Sequence, residues 1–132
     1  MELNSNKVIV NASKADIIAF LSNAENIWHL LPQDKVSDFK STANDCSFKV
    51  QGGITISLIE KGSNENQLFL ESGEKSPFPF KLTIELAEAS SGTEGFIHFD
   101  GEVNMFLKMM VEKPLLSLFN YMSVRLKKHY EQ

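Results

Sequence analysis

The chain contains one cysteine, Cys46, in 132 residues. A lone thiol rules out an internal disulfide. Long apolar runs are missing too: no segment approaches the ~20 residues that a helix needs to span a bilayer. The start, Met1-Glu2-Leu3-Asn4-Ser5, lacks the charged stretch leading into an apolar one that marks a signal peptide. A reducing cytoplasm is the expected location, and membrane contact is expected to be transient at most. Positive charge is also sparse, with 13 Lys and Arg against 17 Asp and Glu, a net charge of −4. Phosphate recognition needs a dense cationic field, so nucleic acid is not an expected partner. The tightest cluster, Arg125, Lys127 and Lys128, falls at the end of a predicted helix, where the negative end of the helix dipole accounts for it. His29, His98 and His129 stand far apart without a closely spaced Cys, His or carboxylate, so no metal site is expected. Gly52-Gly53 is not followed by the lysine and helix start of a phosphate loop and reads as a bend between strands. No cofactor is expected.

What is present is an ordinary globular balance, 42% hydrophobic and 23% charged. A chain of this length buries roughly two thirds of its unfolded surface, enough for a single domain over 1–132. Lys7 to Val10 is a β-branched run that predicts a first strand. Ser13 stands three residues before Asp16, close to a capping box, and Ile17, Phe20, Leu21, Ala24, Trp28 and Leu31 follow at helical spacing. Asn23, Glu25 and Asn26 divide this stretch into two short helices, and Pro32 ends the second. From Val36 to Val103 the texture is a meander, with strands predicted over 36–41, 46–50, 54–61, 67–72, 78–87 and 93–103. Turn-formers such as Asn44-Asp45 and Ser90-Ser91-Gly92 separate them.

Alternation assigns the faces. Phe80, Leu82, Ile84 and Leu86 share one parity, with Lys81, Thr83 and Glu85 on the other, so the sheet has one apolar and one wet side. The apolar side needs a cover, and only the stretch from Met105 to Tyr130 is long enough to supply it. Val111, Leu115, Leu118, Phe119, Met122 and Leu126 place a stripe along one side of that helix. Met105, Phe106, Leu107, Met109 and Met110 instead surround its first turns, forming either an end buried on all sides or a soft apolar surface for something else. Pro114 predicts a kink or a restart.

This order of a strand, two short helices, six antiparallel strands and a long C-terminal helix resembles the helix-grip fold of the SRPBCC superfamily. That superfamily includes START lipid-transfer domains, plant pollen-allergen-like proteins and polyketide cyclase-like proteins. The residues that carry the resemblance are Lys7-Val8-Ile9-Val10-Asn11-Ala12-Ser13 leading into Ile17 to Leu21, and Trp28, Leu31 and Pro32 at the second helix and its exit. Within the superfamily the chain is most similar to small bacterial members of the polyketide cyclase type or of the carbon monoxide dehydrogenase G-like type. The resemblance implies an α+β fold: a curved antiparallel sheet of about seven strands wrapped around the terminal helix, with an apolar cavity between them. Trp28, Leu31, Phe48, Val50, Ile56, Leu58, Leu82, Ile84, Ile97, Phe99, Met105, Met109, Phe119 and Met122 are the implied cavity lining. Ordinary core packing is the competing reading for each.

The residues themselves do not converge on a reaction. His98 alternates with Ile97 and Phe99 and is expected on the wet face, while His29 is placed near the cavity mouth and His129 at the helix end. Cys46 shares parity with Phe48 and Val50 and is expected to be buried and inert. Pro77 and Pro79 alternate with Phe78 and Phe80, which predicts a stiff strand entrance. The leading expectation is therefore a binder of a small hydrophobic molecule, with no catalytic residue assigned. A cyclase, aromatase or dehydratase is the second reading and would need polar groups in the cavity, for which Asp38, Tyr121, His98 and His29 are the candidates. A third is an accessory protein docking through Met105 to Met110. Oligomeric state is not legible. A closed, fully packed interior would count against the carrier reading.

Overall fold

The computed structural model of the chain describes residues 1–50 and 53–131. Strands β1 (Glu2–Asn4) and β2 (Val8–Val10) lead into helix α1 (Lys14–Ser22) and a 3-10 helix (Ala24–Leu30). Six strands follow, β3 (Val36–Ser41), β4 (Asp45–Val50), β5 (Ile54–Ser63), β6 (Gln67–Ser72), β7 (Phe80–Ala89) and β8 (Gly92–Gly101). Helix α2 (Met105–His129) closes the order. The strands form one antiparallel sheet in the order β1-β8-β7-β6-β5-β4-β3, and β2 also pairs with β8. The fold is α+β, a curved sheet gripping a long C-terminal helix, as the element order implied.

Local chemistry explains the element ends. Ser13 Oγ accepts from the Asp16 backbone N–H at 3.1 Å, capping α1, and Asn104 Oδ1 accepts from Leu107 N–H at 2.8 Å, capping α2. The second short helix winds as 3-10 rather than α, entered through Asn23 Oδ1, which accepts from Glu25 N–H at 3.3 Å. Strand β7 starts at Phe80, two residues later than expected, because Pro79 has no N–H to give the ladder; Phe80 N–H donates to Ser72 Oγ at 3.0 Å. The β7–β8 hairpin runs to the Ala89–Gly92 pair, so both strands reach the turn. Gly92 sits at φ +149, and a Cβ there would stand 2.1 Å from the Val10 carbonyl oxygen, so only glycine lets β2 lie against this hairpin. Of the predicted Gly52-Gly53 bend, Gly53 has φ +95, and Gly52 lies outside the described residues.

Two features were not anticipated. Strand β1 carries one inward apolar side chain, Leu3, too little for a strand pattern, yet it pairs with β8 through Asp100, Phe99 and His98. Edge strand β3 has a register shift between Ser37 and Lys40, where Asp38 takes φ +56. The bulge breaks the outer edge of β3, a device that discourages pairing with another chain.

The core lies between sheet and helices. Phe80, Leu82, Ile84 and Leu86 are all buried, as their alternation required, and so is the α2 stripe of Val111, Leu115, Leu118, Phe119, Met122 and Leu126. Helix α2 rests chiefly on β2, the 3-10 helix, β1 and β8. Pro114 lies within α2 without dividing it, so no restart occurs there. A buried polar bridge ties the helix to the sheet. Ser5 Oγ accepts from Ile97 N–H at 2.7 Å and lies 2.8 Å from Ser123 Oγ, which is also 3.1 Å from the Phe119 carbonyl. Among the described residues no buried side-chain polar atom lacks a partner.

Candidate functional site

Between the inner face of the sheet and α2 lies a cavity walled by Leu58, Leu70, Leu82, Ile84, Ile97 and Met122, with further apolar groups from the 3-10 helix and α1. Its volume is about 20 Å³, and its wall presents no polar surface. One water needs roughly 10–15 Å³ and two or more polar partners, so this space is dry and all but filled. Small-molecule sites span roughly 300–1,000 Å³.

Spaces of that size open instead at the surface, and the one with the most apolar lining is on the flank of α2. A groove of about 420 Å³ runs between the middle of the helix and the start of β3 and end of β4. Pro32, Val50, Pro114 and Leu118 form its apolar walls, and Lys35, Ser117 and Tyr121 supply its polar groups. On a helical wheel Met110 shares one side of α2 with Pro114, Ser117, Leu118 and Tyr121, so it lies on the groove side of the helix one turn before Pro114.

The first turns of α2 are largely uncovered. Met105 is 74% exposed, Phe106 70%, Met109 79% and Met110 56%. Single exposed apolar side chains are ordinary, but four adjacent ones form a patch of the kind that marks contact surfaces.

The residues expected to line the cavity separate into groups. Leu58, Leu82, Ile84, Ile97 and Met122 line the interior space, and Val50 lines the groove. Leu31, Phe48, Ile56, Phe99 and Phe119 are buried and packed among other side chains. Phe99 meets Phe80 and Phe119 at ring-centroid distances of 5.0 and 5.3 Å. Trp28 packs on Phe39 at 5.2 Å and is half-buried. Met105 and Met109 face solvent instead of lining a cavity. Several lining residues escaped the sequence. Ile27, Leu30 and Leu70 border the cavity, and of these only Leu70 had a legible signal, its alternation with Leu68 along β6. Lys35 and Ser117 had none, since the groove is made by segments brought together only in the fold.

The candidate polar groups stay apart. His98 lies on the outer face of the sheet, its Nδ1 2.7 Å from Asn4 Oδ1 and its Nε2 3.5 Å from Glu2. Asp38 sits on the exposed β3 bulge. His29 joins His129, with ring centroids 6.3 Å apart, beside Phe20, which is 4.4 Å from His129. That cluster lies about 12 Å further along α2 than Tyr121, eight residues at 1.5 Å each. Only Tyr121 of the four reaches the groove. Cys46 is buried, and burial first, then the neighbouring Asp45 charge, pushes its thiol up to about 12. Such a thiol is not a nucleophile at neutral pH. Phe78 and Phe80 are buried against Phe99, so the Pro-Phe stretch serves packing. Among the described residues no group of three or more His, Cys, Asp or Glu could hold a metal, and no helix is long and apolar enough to cross a membrane.

No protein-family model matches the chain, and no curated protein matches its sequence. Solved structures do match its fold. KanY shares 15% identity over 100% of this chain and 98% of its own, with a TM-score of 0.79. TTHA0849 from Thermus thermophilus shares 14% over 98% and 97%, with a TM-score of 0.76. A START superfamily protein from Mycobacterium smegmatis shares 16% over 99% and 97%, with a TM-score of 0.70. The chain thus has a START-like helix-grip fold, and at these identities the likeness is one of fold alone. It does not extend to the finer resemblance to the carbon monoxide dehydrogenase G-like type.

Proposed function

We propose that the protein binds a small, mainly apolar molecule in the groove between α2 and the β3–β4 edge. The observation that carries this reading is the groove's lining: Pro32, Val50, Pro114 and Leu118 wall a space of about 420 Å³, whereas a larger hollow of about 870 Å³ beside α1 is bordered by Lys14, Asn64, Glu65 and Glu88, and the space beneath α2 holds only about 20 Å³. Four apolar walls with three polar groups at hand is the usual make-up of a ligand site. The methionine-rich turns beside it are polarizable and flexible and adapt to varied apolar shapes. Storage of a ligand deep in the core, the form first expected from the family resemblance, would require the interior to open. A cyclase-like reaction has little support, because Asp38, His29 and His98 lie away from the one candidate hydroxyl, that of Tyr121.

A mapped titration tests the proposal. Naphthalene or decan-1-ol added to isotopically labelled protein should shift the NMR signals of Val50, Leu118 and Tyr121 and leave Leu82 and Ile84 in place. Saturating shifts confined to the interior residues would move the site inward, and no shifts with either probe would sink the groove reading. Native mass spectra of protein purified from its own host would then show what travels with it.

The patch of Met105, Phe106, Met109 and Met110 favours a second reading, an accessory protein that meets its partner through the start of α2. A Phe106→Glu variant that keeps its ligand but loses a defined complex would support it.

A further inference from the structure

We infer that the molecule this groove takes is an amphiphile with a single anionic head, a carboxylate on an apolar body. The inference rests on the groove reading and narrows it. The groove's three polar side chains are all donors: Lys35 offers an ammonium with no acceptor, and Ser117 and Tyr121 each carry a hydroxyl. Among the described residues no carboxylate lines it. Lys35 makes no ion pair among those residues, so its charge is available. The nearest acid in sequence, Asp34, lines a separate hollow that Lys35 shares with Lys49, which leaves this corner with two lysines against one aspartate.

Charge therefore sorts the possible ligands. A cationic head would meet Lys35 and find no counter-ion. A neutral head could accept from the same three donors but would gain no ion pair, whereas a carboxylate would accept from the ammonium and from Tyr121 or Ser117 with both partners of the first bond charged, and such bonds are shorter and stronger than neutral ones. Meanwhile Pro32, Val50, Pro114 and Leu118 give the chain of such a molecule an apolar bed. The position of Lys35, exposed at the groove rim while Leu118 is buried at its floor, sets the orientation: head outward, body inward.

The test compares three probes of equal chain length, decanoate, decan-1-ol and decyltrimethylammonium, on the full chain, with affinities read from NMR shifts at Val50 and Leu118. Decanoate should bind about two- to fivefold more tightly than the alcohol, the scale of an exposed ion pair, and the ammonium compound more weakly than both. Lys35→Met, which keeps the apolar stem at an exposed position, should bring acid and alcohol to equal affinity. Equal affinity of wild-type protein for acid and alcohol would overturn the head-group assignment and leave the apolar groove standing. Failure of both to move Val50 or Leu118 would overturn the groove reading itself. A preference that survives in Lys35→Met would show that the charge recognised lies elsewhere, and would also refute the inference.

Discussion

Met122→Ala decides whether the space beneath α2 is core or container. Met122 is 3% exposed and borders the interior cavity opposite Leu82, Ile84 and Ile97. Truncation to alanine removes about three heavy atoms from a dry environment, worth roughly 2.4 kcal/mol at ~0.8 kcal/mol per buried methylene-sized group. The void left behind joins a cavity of about 20 Å³ whose walls belong to a hydrogen-bonded sheet and cannot collapse freely. That adds a cavity cost, for a total of about 3–4 kcal/mol, within the range of core Met and Leu truncations. Urea unfolding followed by circular dichroism and by the single tryptophan, Trp28, measures it. The enlarged void should also take up xenon or benzene, as dry engineered cavities do. A loss below ~1 kcal/mol would refute the reasoning, because only a side chain already lacking neighbours on one side, in a hollow interior, is so cheaply removed.

Other consequences follow from single contacts. Ser5→Ala strips the Ile97 N–H of its acceptor in a buried place and should cost about 1–3 kcal/mol in the same unfolding experiment; a neutral result would mean that the bridge to Ser123 is dispensable. Gly101→Ala puts a Cβ 2.8 Å from the Phe99 ring and 3.2 Å from Phe78, and should lower stability by about 1–3 kcal/mol through displacement of the phenylalanine cluster. Cys46 has a folded pKa raised from 9.0 to about 12, so its contribution is complete below pH 9 and declines as pH rises from 9 toward 12, where the unfolded thiol ionises and the folded one does not. Cys46→Ala should flatten that alkaline decline relative to the wild type, and identical slopes in the two proteins would show that the thiol is not shielded.

Much of the fold was legible because it rests on period. Alternation in 80–86 and the stripe from Val111 to Leu126 are local patterns, and burial followed them residue by residue. What lacked a local pattern was missed. Strand β1 is held by pairing with β8, not by its own composition, and the 3-10 winding of Ala24–Leu30 differs from an α-turn by one residue of hydrogen-bond reach, which side-chain spacing does not resolve over seven residues. The site was less legible than the fold for the same reason. Sequence tells that Leu82 and Met122 face inward, but whether inward means a wall or a filling depends on the distance between sheet and helix, a global quantity. Lys35 and Tyr121 meet across the groove from positions 86 residues apart, and neither belongs to a motif.

The two halves of α2 follow different rules, and that difference bears on how the groove works. From Leu115 to Leu126 the helix buries five large apolar side chains and is bound to the sheet through Ser123 and Ser5. From Met105 to Met110 it buries none, with Leu107 alone half-covered, and Pro114 supplies no N–H to the Met110 carbonyl four residues before it. Few buried contacts and a broken ladder are the conditions for low local stability, so these turns should open without unfolding the core. The wall of the groove at Pro114 and Ser117 stands at the junction of the two regimes. Native-state hydrogen exchange tests this directly: amides of Met109 to Lys113 should exchange through openings of about 1–2 kcal/mol, near the fraying end of the scale, while those of Phe119 to Leu126 should need most of the global unfolding energy. Adding decanoate should slow exchange in the first segment and leave the second unchanged, since a ligand against Pro114 and Leu118 stabilises the state in which the first turns are formed. Equal protection along the whole helix would mean that α2 is one rigid rod, and the groove would then have to accept its ligand without any adjustment of its lip.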